Sequence, residues 1–301
     1  MSQTPRPAAR WLSIGTYVLI SIIGLAAFLY PFWLPAIEPS GMSGHAQDAP
    51  VMTLLLIGLC LIAIFLDAQA NGLTTKTIAL LGVLVAINSV LRFIEVAIPG
   101  PGGFTPIFFL IILCGYVFGA RFGFLMGALT LLVSGLITGG VGPWLPYQMF
   151  TAGWMGLSAG WLAALMAERK RRTTDDGRPI LPSSVVRRSS SWPLLPLILF
   201  GALWGFLYGL IINIWFWPFA TGPAAQYWQP GIGLAQTLQR YAVFYLATSA
   251  GWDVFGAIGN AVLMLLFGLP TLRTLLRFKG RFTFNYRPVQ VVSGSAQLSE
   301  A

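Results

Sequence analysis

The chain has 301 residues, of which 56% are hydrophobic and only 9% charged, and it carries a formal net charge of +9. Its mean hydropathy is +0.75. So few charges cannot cover a soluble globule of this length, so the composition excludes an ordinary soluble enzyme and reads as a polytopic membrane protein.

Eight apolar stretches come close to the roughly 20 residues that a helix needs to cross a bilayer. They lie at 12–35, 51–67, 77–98, 104–119, 122–138, 147–167, 193–217 and 241–269. Arg6 and Arg10 precede the first, which runs from Leu12 to Pro35 without a small-residue cleavage pattern, so it is expected as a retained helix and not a signal peptide. Cys60 and Cys114 sit inside apolar runs with no disulfide or metal spacing and read as small buried hydrophobes. In the third stretch Asn88, Arg92 and Glu95 share a broad helix face. Gly115, Gly119 and Arg121 mark either a tight turn between the fourth and fifth stretches or a kink in one long one. The segment LITGGVGPWLPYQMFTAGWMG, Leu136 to Gly156, then breaks the chain with Gly139, Gly140, Gly142, Pro143 and Pro146.

In the seventh stretch Gly201, Gly205, Gly209, Asn213 and Trp217 recur every fourth residue, a narrow line ending in an amide and an indole. In the eighth, Trp252 and Asp253 precede Asn260, which lies two turns from Asp253 on the same face. A carboxylate at that depth costs about 3 kcal/mol on insertion scales, so Asp253 is expected to face a cavity or to pair with Arg92 or Arg240. The spacings Gly119, Gly123, Gly127 and Gly156, Gly160 read as chance recurrences of a generic helix-packing device in a chain with 34 glycines. From 279 to 301 the chain turns polar and loses periodicity, as a cytoplasmic tail would.

Eight crossings from a cytoplasmic N-terminus place every Lys and Arg except Arg92 and Arg240 on the inside, a clean positive-inside pattern. The run ERKRR at 168–172 is then topogenic, and no nucleic-acid partner is expected. The outer connections PGPGGFTP, GGVGPWLP and WPFATGPAAQYWQPGIG are instead rich in Gly, Pro and aromatics. Interfacial belts have that composition, and so do lids over ligands. Polar residues of several spans converge toward the same end, the pattern of a site open to one side, with a helix-locking ion pair as the alternative. There is no GxxxxGK[ST], and the single histidine is His45. Hence no ATP site, no metal, no cofactor and no catalytic constellation is expected.

Residues 77 to 278, and above all FTPIFFLIILCGYVFGARFGFLMGALTLLVSGLITGGVGPWLPYQMFTAGWMGLSAG, resemble the S component of energy-coupling factor (ECF) vitamin transporters, their substrate-binding membrane subunit. The resemblance implies an all-α integral membrane fold in a bacterial plasma membrane. A six-helix core at 76–278, including a basic cytoplasmic loop at 168–192, follows a two-helix hairpin at 1–75 and precedes the tail at 279–301, with both termini inside. It also implies a separate T component and two cytoplasmic ATPase subunits as partners. Gly82 and Ala86 in IALLGVLVAIN occupy the place where that family docks the T component through small residues four apart.

The expected ligand is a water-soluble vitamin, a corrinoid such as cobalamin ahead of riboflavin, thiamine or its hydroxymethylpyrimidine moiety. Its expected contacts are Glu95, Phe104, Trp144, Gln148, Asn213, Trp217, Trp252 and Asp253, because aromatics bury area and a few polar groups fix orientation. GGVGPWLPYQM would act as an outer gate, its glycines bending over the ligand, Trp144 and Tyr147 giving flat contact and Gln148 a hydrogen bond. The extra hairpin is expected to pack peripherally. The competing reading is an integral-membrane enzyme or assembly factor for a lipid or isoprenoid, with Glu95 and Asp253 as acids. An independent carrier is disfavoured because the halves show no inverted repeat.

Overall fold

The computed structural model describes residues 7–33, 49–69, 73–97, 104–173 and 194–282. These residues form helices and no strand. In chain order they are α1 (Pro7–Leu29), α2 (Ala49–Gln69), α3 (Thr75–Ala97), α4 (Ile107–Phe118), α5 (Ala120–Thr138), α6 (Leu145–Thr173), α7 (Leu194–Ile212), α8 (Leu234–Thr248) and α9 (Ala250–Phe282). Two short 3-10 turns, Asn213–Trp215 and Trp217–Phe219, follow α7. Seven of the helices are long and apolar enough to cross a membrane, α4 and α8 being the exceptions.

Two positive-φ glycines set the middle of the chain. Gly119, at φ 100°, turns it between α4 and α5, which resolves the choice between a turn and a kink in favour of the turn. Gly139, at φ 68°, ends α5, and the amides of Gly139 and Gly140 both donate to the Gly135 carbonyl, the second at 2.8 Å, a glycine closure of the helix end.

The glycine spacings taken as chance prove to be the tightest joint in the molecule. A Cβ on Gly123 of α5 or on Gly115 of α4 would collide with the Gly156 carbonyl of α6, and one on Gly127 with that of Ala152. At Gly160 it would collide with the backbone nitrogen of Ala120. Small residues therefore let α4, α5 and α6 touch backbone to backbone, the close approach that binds helices where burial from water supplies no drive between them. The glycine line of α7 receives α9 in a related way: Gly205 lies on Ala257 and Gly209 on the Asp253 carboxylate.

The N-terminal hairpin is less peripheral than expected. Ile20 of α1 and Leu56, Cys60 and Ala63 of α2 are fully buried. Gly24 seats α1 on Phe150 and Trp154 of α6, and the Trp154 indole donates to Ser21 at 3.3 Å. Asp67, near the end of α2, is fully buried and accepts from Arg121 Nη1 at 2.6 Å, from Tyr17 at 2.9 Å and from Ser13. A buried carboxylate is tolerated only when paired and hydrogen-bonded, and this one bonds both helices of the hairpin to the start of α5.

Two further contacts show which helix ends lie together. Lys279 donates to the Val117 carbonyl, and the Tyr116 hydroxyl meets the Met166 sulfur at 3.8 Å. Thus the start of α1 and the ends of α2, α4, α6 and α9 share one end of the bundle. One expected boundary is corrected: the stretch 241–269 is not one helix. The chain breaks at Ser249, residues 241–248 belong to α8, and α9 runs on to Phe282, beyond the expected start of the tail at 279. The loops at 34–48, 98–103 and 174–193, which include His45, lie outside the described residues.

Candidate functional site

At the end opposite Asp67 the helix termini carry most of the expected site residues. Glu95, near the end of α3, accepts a hydrogen bond from the Thr105 hydroxyl, tying α3 to the segment that enters α4. Two turns deeper, buried Asn88 donates to the Ile107 carbonyl and to Thr130, both at 3.2 Å, leaving its Oδ1 without a partner among the described residues. Arg92 makes no hydrogen bond or ion pair with the described residues. The Phe104 ring lies where a Cβ on Gly259 of α9 would stand.

In the turn between α5 and α6, the Trp144 indole folds back over Gly142 and donates to the Gly140 carbonyl at 3.1 Å. Gly142 is needed here because any side chain would meet that ring. Tyr147, expected to offer its ring to a ligand, is instead core. It is fully buried, parallel to Trp215 at 5.8 Å and edge-on to Phe28 at 5.0 Å. Gln148, on the next position round α6, is half-buried with its amide making no hydrogen bond among the described residues.

The third group surrounds the break between α8 and α9. Asn213 donates to Ser249 at 2.8 Å, and Tyr245 of α8 donates to Asp253 at 2.8 Å. Tyr241 of α8 donates to the Leu210 carbonyl. Trp217 is 1% exposed, spends its N–H on the Gln226 carbonyl at 3.0 Å and packs edge-on against Tyr241 at 4.9 Å. It therefore supports the site from behind. Trp252, 58% exposed, presents its ring on the surface of α9. Of the two expectations for Asp253, a cavity or an arginine partner, the pairing with Arg240 is not formed: Arg240 donates to the Tyr227 carbonyl and to Gln229, both at 3.0 Å, and Asp253 accepts from Tyr245.

Tyr241 and Tyr245 are functional candidates that sequence reasoning passed over. Their spacing of four was visible, but both fell inside a stretch assigned to a membrane span. On the outer face of α3, Gly82 and Ala86 are exposed, and a Cβ on Gly82 would meet nothing within 4 Å.

Polar side chains of α3, α6, α7 and α9 thus stand at one end of an all-helical bundle in which seven helices are long and apolar enough to cross a membrane. The profile of the family described as "ECF transporter, substrate-specific component" matches residues 76–271. The chain belongs to that family and is thus the substrate-binding subunit of an ECF transporter, a multi-pass membrane protein that associates with a T component and ATPases. No curated protein and no solved structure matches the chain. The matched region starts one residue into α3, so α1 and α2 lie outside it.

Proposed function

We propose that this subunit captures a water-soluble vitamin at the end bearing Glu95 and Asp253, with that end facing outside and both termini in the cytoplasm. The observation that carries the reading is the convergence of Glu95, Gln148, Asn213 and Asp253 at one end of the bundle, with the Gln148 amide unspent. Phe104 and Trp144 supply flat apolar area beside them. Trp217 and Trp252 drop out of the ligand's direct contacts, the first because it is buried with its N–H used, the second because it lies on the surface of α9. The 139–148 segment acts as a gate through Trp144 and Gln148, with Tyr147 as its anchor in the core.

A corrinoid is the leading ligand, on the strength of 11 tryptophans in the chain and the connection between Phe219 and Leu234, which is shorter than the expected 218–239 because α8 takes up its end. Riboflavin, thiamine and hydroxymethylpyrimidine follow. The T component, coupled to two cytoplasmic ATPases, docks on the exposed Gly82 and Ala86 face of α3. Family membership favours transport over the lipid-modifying enzyme.

The test is titration of cyanocobalamin, riboflavin and thiamine against the purified full chain and against Trp144→Ala and Gln148→Ala. Loss of one hydrogen bond in Gln148→Ala weakens binding about fivefold. Unchanged affinity in both variants places the pocket elsewhere, and binding of riboflavin or thiamine alone replaces the corrinoid. Cysteines introduced at Gly140 and Ser190 check the orientation: an impermeant reagent added to intact cells labels the first and not the second.

A further inference from the structure

Between α1 and the facing surfaces of α5 and α6 the structure holds a cavity of about 390 Å³. Its walls include Tyr17, Val18, Ile22 and Leu25 of α1, Arg121 of α5 and Trp161 of α6. It is separate from the vitamin site, because Arg121 stands with Asp67 at the other end of the bundle. It also exists only because the added hairpin meets the core, α1 lying outside the family match.

The cavity is a groove open sideways. Val18, Ile22, Leu25 and Trp161 are each more than half exposed, at 53%, 58%, 55% and 59%. In a chain whose helices cross a bilayer, sideways is toward lipid, and an apolar groove at that depth is filled by hydrocarbon and not by water. Along α1 the groove runs from Ile14 to Leu25. At 1.5 Å per residue that is roughly 16 Å, close to one leaflet's share of a hydrocarbon core about 30 Å thick.

The end of the groove is chemically distinct from its walls. Arg121 commits Nη1 to Asp67 and has a side chain 28% exposed, while its Nε and Nη2 donors bond nothing among the described residues. Asp67 is already taken by Ser13, Tyr17 and Arg121, so it does not compete for a further donor. A planar guanidinium with donors to spare suits the oxygens of a phosphate. The Trp161 indole beside it is a side chain at home at the headgroup level.

We propose that this groove binds one anionic phospholipid of the leaflet on the Asp67 side, its acyl chain lying along α1 and its phosphate on Arg121. The lipid completes the joint between hairpin and core, where the Trp154 to Ser21 hydrogen bond is a polar tie between α1 and α6.

The experiment places the full chain in phosphatidylcholine vesicles doped with either of two photoactivatable probes carrying a mid-chain diazirine, a phosphatidylglycerol or a phosphatidylcholine. Cross-linked residues are then mapped by mass spectrometry. The expected result is labelling of Val18, Ile22 or Leu25 by the phosphatidylglycerol probe about twofold above the phosphatidylcholine probe, less than the roughly fivefold that an unpaired interfacial arginine confers, because Arg121 shares its charge with Asp67. Leu199 and Leu203 of α7, which are exposed but border no such charge, label equally with both. Ile22→Trp fills the groove and removes the excess at Val18 and Leu25, leaving the α7 labelling as it was. Equal labelling of the groove by the two probes overturns the proposal, as does labelling no stronger than that of α7 or an excess that survives Ile22→Trp. The comparison of probes on the unaltered chain stands even if a variant fails to fold.

Discussion

Along the α5–α6 seam a glycine meets a carbonyl; along the α7–α9 seam, at Gly209, a glycine meets a carboxylate. At Gly123 and Gly156 the missing side chains bring two backbones into contact, and neither backbone can yield without unwinding its helix. At Gly209 the vacant space is filled by Asp253, a side chain that accepts a hydrogen bond from Tyr245 on α8. The first seam is a fixed joint. The second is fixed in the same way at Gly205, against the Ala257 backbone, and is polar only at Gly209, where its filler is linked to an element packed mainly through Tyr241 and Phe244, with Leu234, Leu238 and Leu246 exposed.

The comparison breaks most severely at the fixed joint. Gly123→Leu drives a branched side chain into the Gly156 carbonyl, and its cost exceeds the roughly 1–3 kcal/mol usual for overpacking, because backbone is what would have to move. The expected outcome is loss of the monodisperse peak in detergent size-exclusion chromatography. Gly58→Leu, at a position with open space around it, keeps that peak. A folded Gly123→Leu protein would show that the seam is adaptable after all.

Next in size is the tie between hairpin and core. Asp67→Ala leaves Arg121 without its buried partner, an effect of about 3 kcal/mol, toward the low end for broken buried pairs because Arg121 is 28% exposed. Thermal unfolding in detergent measures it. An unchanged midpoint would mean that the hairpin is held by its apolar contacts alone.

These two sites also show where the sequence was readable. Spans α1, α3, α5, α6 and α7 stand close to where hydropathy placed them, because length and apolar content alone decide such segments. The break at Ser249 was invisible, since the apolar pattern runs across it and the bonds there join Asn213 and Ser249, 36 residues apart. Asp67 escaped for the same reason: its partner Arg121 is 54 positions away, and both looked like span ends. The gathering of polar residues at one end was legible from their positions along the spans. Which aromatics would line it was not. Tyr147, Trp217 and Trp252 have similar local sequence signals, and only packing sorts them into core, support and surface.

At the polar stretch of the α7–α9 seam, around Gly209, the expected effect is smaller. Tyr245→Phe removes one hydrogen bond to a carboxylate, about 1.5 kcal/mol, and frees α8 without disturbing the glycine contacts of α7. Hydrogen exchange reads it: amides of residues 234–248 exchange faster while those of α5 and α6 do not change. Equal acceleration in both places would make the two seams one cooperative unit and remove the distinction between them.

The smallest effect on stability is expected where no seam exists. Gly82 and Ala86 face outward, with nothing near a Cβ at Gly82, so Gly82→Leu with Ala86→Leu should change the bundle's stability by no more than about 0.5 kcal/mol. The same two leucines would hold a partner helix away from the close approach that small residues allow. Co-purification with the T component should therefore be lost while the unfolding midpoint and vitamin binding persist. That combination separates an external docking face from a packing face, because substitution at a packing face lowers the midpoint, as at Gly123. If the double variant unfolds early, α3 is packed there by a neighbour; if it still captures the T component, docking uses another helix.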